Sequence, residues 1–575
     1  MRNVISTRRV TARGLVAGVL AAWAAVAAML AVQAVAAVPI PQPILTVNQL
    51  LWKVAPDECF DGIGVDYPPI NPDGTCPAGQ PKTNESYIWG LTEANGKLWF
   101  GTIANAACLV SGNLTTIEPH LTSIGVCEYG MSEIARTHAD FPPFFGDWRR
   151  PKIYTWDLAT GELVDQAINS PLLENTLGLR GAGTIDNTVF LAGPSLLGHS
   201  ANFFAFRADT GQFLGACART DYDYVRGWKL VDGVLYVGVG NDTYGAVLRW
   251  NSSPGAPQPS QQNWCSRFTE VGHVSGDVAN IASYVGADGR DRLAVSTVPI
   301  RSPTSHGAPA GIWISPAIPS GGLTSNDINR WHQVWSPIQY DPDVITARYG
   351  YSGGALQFFD GWLYWGTINL QNAPALGIHQ RCTYSFCFGP ADTPEELAAL
   401  KAGVYRSTSV WRGRNLEDPN TREVQLLYGE SELPACCSAP KTFAMTPTGW
   451  TPLYGPSGFG NPSNEYTWRM AVYDGHLFIG TYDAALQQGH YAEDGADLWR
   501  FDDSNSPAVN ENYTGLGNPL NYGIRILYPL DDGSGIIAGM ANPYNLAPGG
   551  GWELRLLQEG TPSPAPARTP AAAGH

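Results

Sequence analysis

Four arginines stand in apolar runs where a cation is out of place: Arg180 in "GLRGAGTI", Arg226 in "YVRGWKLV", Arg469 in "YTWRMAVY" and Arg525 in "GIRILYP". Similar runs carry Trp89, Trp228, Trp468 and Tyr351, and two of them begin with Glu85 and Glu465. A guanidinium is a planar fork of donors that matches a carboxylate or phosphate, and indoles add faces for stacking. The chemistry on offer is therefore the gripping of a polar or anionic ligand. The competing use of the same residues is a lock between packed strands, with Arg paired to Glu85 or Glu465.

Other reactive side chains are scattered. Asp483 and Glu493 flank His490 in one loop, and His199, His306 and His379 fall in comparable loops, which makes the four histidines candidate metal ligands. No His-x-His, HExxH or CxxC spacing accompanies them, and no Ser-His-Asp or paired-carboxylate pattern is present. No catalytic residue is assigned, and no cofactor is required. A binding protein ranks first; the alternative is an enzyme, either a metal- or quinone-dependent oxidoreductase or a hydrolase or lyase.

The elements that must hold these residues repeat. Turns at Asn95-Gly96, Asp186-Asn187, Asp232-Gly233, Asp288-Gly289, Asp360-Gly361, Asp474-Gly475 and Asp532-Gly533 each separate two apolar strands. Asn-Gly and Asp-Gly tolerate positive φ and close two-residue hairpins. The second strand usually ends in a Gly-Thr or Gly-Val phrase, as in "KLWFGT", "VLYVGV", "WLYWGT" and "HLFIGT", while "RLAVST" and "GIIAGM" are degenerate copies. A third strand follows ("KIYTWDLATGELV", "NFFAFRADTGQFL", "AVLRW", "GIWIS", "AGVYRS", "ADLWRF", "WELRLL"), and several repeats add a fourth, such as "RWHQVW" and "EVQLLYG". The expected fold is all-β: a seven-bladed β-propeller of four-stranded antiparallel blades. The last blade lacks an outer strand at the C-terminus, and "NQLLWKV" at 48–54 has the pattern to supply it and close the ring. The only helical stretch expected after residue 40 is "TPEELAALKAG".

This arrangement puts every tight turn on one face. The other face carries long insertions, about fifty residues in the first repeat and the "INLQNAPALGIHQRCTYSFCFGPADTPEELAALK" segment in the fifth. Long loops on a rigid scaffold favour a site there, so the inner-strand polar residues are expected to ring a funnel on the loop face.

Residues 1–37 combine Arg2, Arg8, Arg9 and Arg13 with an apolar Ala-rich run and a small-residue cleavage pattern before Val38. They read as a signal peptide, or as an N-terminal anchor if uncleaved, which is the one route to membrane contact. The propeller is expected over 38–558, followed by a Pro/Ala-rich tail over 559–575. A net charge of -16 repels nucleic-acid phosphates, and a periplasmic, cell-surface or secreted monomer with a small-molecule or protein ligand is expected. Ten cysteines fit an oxidising compartment. Sequential neighbours give the pairs Cys59–Cys76, Cys108–Cys127, Cys217–Cys265 and Cys382–Cys387. The adjacent Cys436 and Cys437 either bond to each other or each bond elsewhere.

"GFGNPSNEYTWRMAVYDGHLFIGTYD", followed by "GADLWRF", resembles the repeat of a family of exported, largely uncharacterised bacterial β-propellers. That resemblance covers most of the mature chain in outline and implies the fold. "DLATGELV" and "RADTGQFL" are also similar to strand turns of pyrroloquinoline-quinone propellers, in which a bonded pair of adjacent cysteines contacts the cofactor. Members of that family have eight blades and tryptophan docking motifs, which this chain lacks.

Overall fold

The computed structural model describes residues 42–112, 118–139, 141–142, 145–241, 243–251, 264–300, 308–369, 373–382, 384–487 and 495–560. The expected signal peptide, nearly all of the expected tail, His306 and His490 lie outside the described residues.

The β-strands form successive four-stranded antiparallel meanders. Their first strands are Glu85–Ala94, Gly181–Ile185, Tyr224–Val231, Asp277–Val285, Tyr351–Phe359, Asn464–Tyr473 and Gly523–Pro529. In the second meander, Gly181–Ile185 pairs with Thr188–Pro194, which pairs with Ala201–Arg207, which pairs with Phe213–Arg219. The last meander takes its fourth strand from the other end of the chain: Val47–Lys53 runs antiparallel to Glu553–Gln558. Hydrogen bonds leave three meanders as separate four-stranded sheets and link the others into one larger sheet through single bridges such as Tyr482↔Gly523 and Ala541↔Tyr87.

The turns follow the sequence. Asn95, Asp186, Asp232, Asp360 and Asp474 all sit at positive φ and close two-residue hairpins. The fourth and seventh hairpins are longer: their last paired residues are Val285↔Asp291 and Pro529↔Ile536. Neither Asp288 nor Asp532 needs positive φ in these wider loops.

Meanders stack face to face, so second strands are apolar on both sides. Lys97–Ala104 is buried at every position after Lys97. Trp99, Leu179, Val189, Phe204 and Phe206 fill the layer between the first two meanders, and Phe190, Phe203, Val237, Trp250 and Phe268 the next. Burying one such side chain contributes about 1.5–3 kcal/mol. The recurrent glycine of the second strand has a steric cause. A Cβ at Gly101 would lie 2.3 Å from Leu179 Cβ, and one at Gly366 would lie 2.3 Å from Thr467 Cβ. The following meander occupies that space. The degenerate "AVST" copy solves the same contact differently: Ser296 stands where the glycine would be, and its hydroxyl donates to the Gly354 carbonyl at 2.8 Å. The glycine has moved to the facing strand, where a Cβ at Gly353 would lie 2.8 Å from Ser296 Cβ.

Three strand expectations change. "KIYTWDLATGELV" and "NFFAFRADTGQFL" are each a third and a fourth strand, because Gly161 and Gly211 at positive φ turn the chain between them. In the fifth meander the third strand is Val410–Arg414 rather than "AGVYRS", because the helix Pro394–Val404 runs through its first residues. Short helices also form at Ala106–Gly112 and Ala373–Arg381 inside the two long insertions.

All ten cysteines pair as Cys59–Cys76, Cys108–Cys127, Cys217–Cys265, Cys382–Cys387 and Cys436–Cys437, with a cis peptide between the last two. Five cystines suit an oxidising environment. Among the described residues no helix is long and apolar enough to cross a membrane.

Candidate functional site

The inner strands are not regular: six share an irregularity in one layer, and the first and sixth carry a second nearer the strand mouth, at Ser86 and Glu465. Each of the six carries a β-bulge five or so residues before its hairpin, facing the second strand's glycine or Ser296. The unpaired residues there are Trp89, Arg226 with Gly227, Ala279, Gly354 with Ala355, Trp468, and Arg525. A bulge bends the strand and re-aims a side chain. Here it gathers arginines from separate meanders.

Arg180, at the mouth of the second inner strand, lies with Cζ 5.3 Å from the Trp89 ring and 4.6 Å from the Tyr224 ring. Arg525 Cζ is 5.6 Å from the Trp468 ring. Arg469 donates from Nη1 to Asn280 Oδ1 at 3.3 Å. Arg226 and Arg525 are only 5% and 2% exposed. Their Nε atoms, with Arg226 Nη2 and Arg525 Nη1, are buried without a hydrogen-bond partner among the described residues.

The cations feel one another. Burial, then Arg226, Arg469 and Arg180, push the Arg525 guanidinium well below its ordinary value. Burial and Arg226 bring Arg469 down to about 10. Arg180 is lowered by burial and Arg226, with Tyr224 and Asp277 acting against this. Lys229 is lowered by burial and by Arg469. Such a group costs free energy unless an anion joins it.

The two sides of the layer differ. Toward the long loops, Tyr87, Tyr482 and Tyr522 pack edge-on or tilted around Trp468, with ring centroids 5.5–6.2 Å from it. Toward the Asp-Gly hairpins lies a cavity of about 260 Å³, lined by Arg469, Lys229, Asn280, Gln357, Trp228 and Tyr528 among others, with no carboxylate among its lining residues. At this depth the loop side of the layer holds packed aromatic rings, and this cavity lies on the other side of the layer.

Several candidates sit elsewhere. Glu85 is fully buried, but the charges that act on it are Lys152 and Asp57, not an arginine of the layer; burial pushes its carboxyl up to about 7. A bulge at Ser86 and its position at the strand mouth aim it toward the first insertion. Glu465 is buried beside Tyr482. Trp228 lines the hairpin-side cavity and also stacks on Phe190 at 6.1 Å between meanders. The Tyr351 hydroxyl donates to Asp341 at 2.9 Å, and Asp341 also holds Arg406. Asp483 accepts from Asn461 Nδ2 and the Ala485 amide, fixing its own loop.

The candidate metal ligands do not converge. His199 is exposed with Nδ1 3.2 Å from Asp223, whereas His379 is buried with Nε2 3.1 Å from Asp343. Among the described residues no three His, Cys, Asp or Glu side chains meet in a metal-holding group. The Cys436–Cys437 pair packs with Phe443, Val404 and Leu400 and does not line the axial cavity. These residues do not fit a quinone held against a cystine on the axis.

Sequence reasoning missed Lys229, Asn280 and Gln357. What they share is a place on an inner strand between its bulge and its hairpin.

No protein-family model matches the chain, and no curated protein matches it. The resemblance to exported propeller repeats rests on the sequence motifs, which the sixth repeat matches best. Among solved structures, the chain is similar to the Dos1 propeller, with 8% identity, 90% of this chain and 95% of that chain covered, and a TM-score of 0.36. It is similar to the polysaccharide lyase Uly1 at 10% identity, covering 88% and 98%, with a TM-score of 0.38. A prolyl endopeptidase matches at 10% identity over 79% of this chain, which spans about half (54%) of the endopeptidase's length, with a TM-score of 0.31. Likeness at this level bears on neither activity nor ligand.

Proposed function

We propose that the chain is an exported, seven-bladed β-propeller over 38–558, closed by its N-terminal strand, whose arginine layer binds an anionic ligand. Blade count and closure are supported by the repeated meanders and by the pairing of Val47–Lys53 with Glu553–Gln558. Export is supported by the cystines and by the leader pattern of residues 1–37.

The observation that carries the binding reading is the pair Arg226 and Arg525: buried cations that each have two guanidinium nitrogens without an acceptor among the described residues. A protein that gained only rigidity from these side chains would pair them, because an unpaired buried donor costs about 1–3 kcal/mol, and more when charged. A ligand oxyanion supplies the missing acceptors. The test is calorimetric titration of the mature protein with a panel of oxyanions. Binding that disappears in Arg226→Gln and Arg525→Gln supports the reading; binding that survives both substitutions overturns it.

A further inference from the structure

The layer has two sides of unequal character, and this narrows both the ligand and its route. On the loop side Tyr87, Trp468, Tyr482 and Tyr522 are all less than a tenth exposed and packed on one another. On the hairpin side the cavity of about 260 Å³ reaches Arg469 and Lys229, with Asn280 and Gln357 as neutral hydrogen-bonding groups. This volume falls below the roughly 300–1,000 Å³ of drug-sized sites and leaves room for a small ligand only.

The charge count is lopsided. Arg180, Arg226, Lys229, Arg469 and Arg525 lie close enough to act on one another, and among the described residues the one carboxylate acting on Arg180, Lys229, Arg469 or Arg525 is Asp277, on Arg180. A single negative charge would leave most of the mutual repulsion in place, whereas each added charge on the same small ligand offsets more of it. Planar guanidinium forks favour the paired oxygens of carboxylate, phosphate or sulfate over a spherical ion.

We infer that the ligand is a small oxyanion carrying at least two negative charges, and that it reaches the arginine layer through the cavity on the hairpin side. This rests on the anionic-ligand reading above. Phosphate, sulfate and short dicarboxylates share the required chemistry.

The experiment titrates the mature protein with phosphate, sulfate, malonate, acetate and chloride at constant ionic strength. At least one divalent oxyanion should bind tenfold or more tightly than acetate and chloride. Tighter binding of malonate would name a dicarboxylate as the ligand, and tighter binding of phosphate or sulfate an inorganic or ester oxyanion; either sustains the inference. Lys229→Ala should weaken that binding at least tenfold, and Gln357→Trp, which fills the cavity, should abolish it with an unchanged melting transition. Should Gln357→Trp disrupt the fold, Lys229→Ala decides the route alone. Acetate binding as tightly as malonate and phosphate would overturn the charge requirement. Binding unaffected by Lys229→Ala but lost in Arg525→Gln would overturn the hairpin-side route and leave the anionic reading standing. No binding by any oxyanion would remove both.

Discussion

Among the regions of this protein that bury cations, two treat them in opposite ways. At the base of the first insertion, Lys82 is fully buried between Asp147 and Glu128, and Arg149 pairs with Asp147 and, through two 2.8 Å bonds, with Glu58. The Tyr67 hydroxyl donates to Glu128 at 2.6 Å, and its ring lies 4.4 Å from Lys82 Nζ and 4.9 Å from Arg149 Cζ. Despite burial, Lys82 and Arg149 hold the Asp147 carboxyl below its ordinary range. In the axial layer the arginines find indoles, phenols and one another instead. The first arrangement is complete within the chain and fastens an insertion to the scaffold. The second has no such ion pairs among the described residues. Burial of charge alone does not mark a site; burial without counter-charge does.

The largest effect that can sharpen this contrast is expected in the complete network. Lys82→Met leaves Asp147 and Glu128 buried with less compensation and should cost about 3–5 kcal/mol in denaturant unfolding. A loss below 1 kcal/mol would make the two regions alike.

Glu85 is an intermediate case, a buried carboxylate with only distant cations. Its folded value of about 7 lies above the ordinary 4.5, so the native state holds the proton more tightly than the unfolded chain. The resulting stability is complete below pH 4.5 and is lost as pH rises through 7, by about 3 kcal/mol. Glu85→Gln should remove that part of the pH dependence and be the more stable protein at pH 8. Parallel stability–pH curves for the two proteins would contradict the assignment.

Arg525→Met should act with the opposite sign to Lys82→Met. Removing an uncompensated buried cation relieves its desolvation and should stabilise the ligand-free protein by about 1–3 kcal/mol, while oxyanion binding is lost. Destabilisation on the scale of Lys82→Met would show that this arginine has a full complement of partners after all.

The smallest effect belongs to a pair outside both regions. Arg136 and Asp66 lie 2.9 Å apart with side chains 37% and 83% exposed, so Asp66→Asn should change stability by less than about 0.5 kcal/mol. A larger change would mean that solvent exposure is a poor guide to which ion pairs matter here.

Much of this was legible in the chain. Asp-Gly and Asn-Gly spacing reported the hairpins because positive φ is a local demand, visible wherever those residues occur. Three cystine pairs followed from loop proximity and Cys217–Cys265 from neighbouring outer strands, whereas sequence left the Cys436–Cys437 bond open. Arginines in apolar runs pointed to the axis because nothing local explains them. What sequence did not reveal depends on neighbours across the sheet. The bulges at Trp89, Trp468 and Arg525 arise where a facing glycine lets the next meander press in, and no residue on the bulged strand announces them. Glu85 was expected beside an arginine, yet the extra residue at Ser86 and the Lys152 side of the insertion decide its surroundings. Nothing in the local sequence singles out Lys229, which the inner strands place where Arg469 acts on it.

The pairing of Val47–Lys53 with Glu553–Gln558 also sets a clock. As the chain emerges from the ribosome, the first strand made waits through some five hundred residues for the strand that flanks it. Until then the last meander cannot be completed, and an early segment with Leu50, Leu51 and Trp52 stays unpartnered. Loop closure over such a span costs only slightly more entropy than over a shorter one, but it cannot precede synthesis. The last meander therefore closes only after Glu553–Gln558 has been made, and moving residues 43–54 to follow Gln558 should let completion proceed from one end of the meander, with faster recovery from denaturant as its signature.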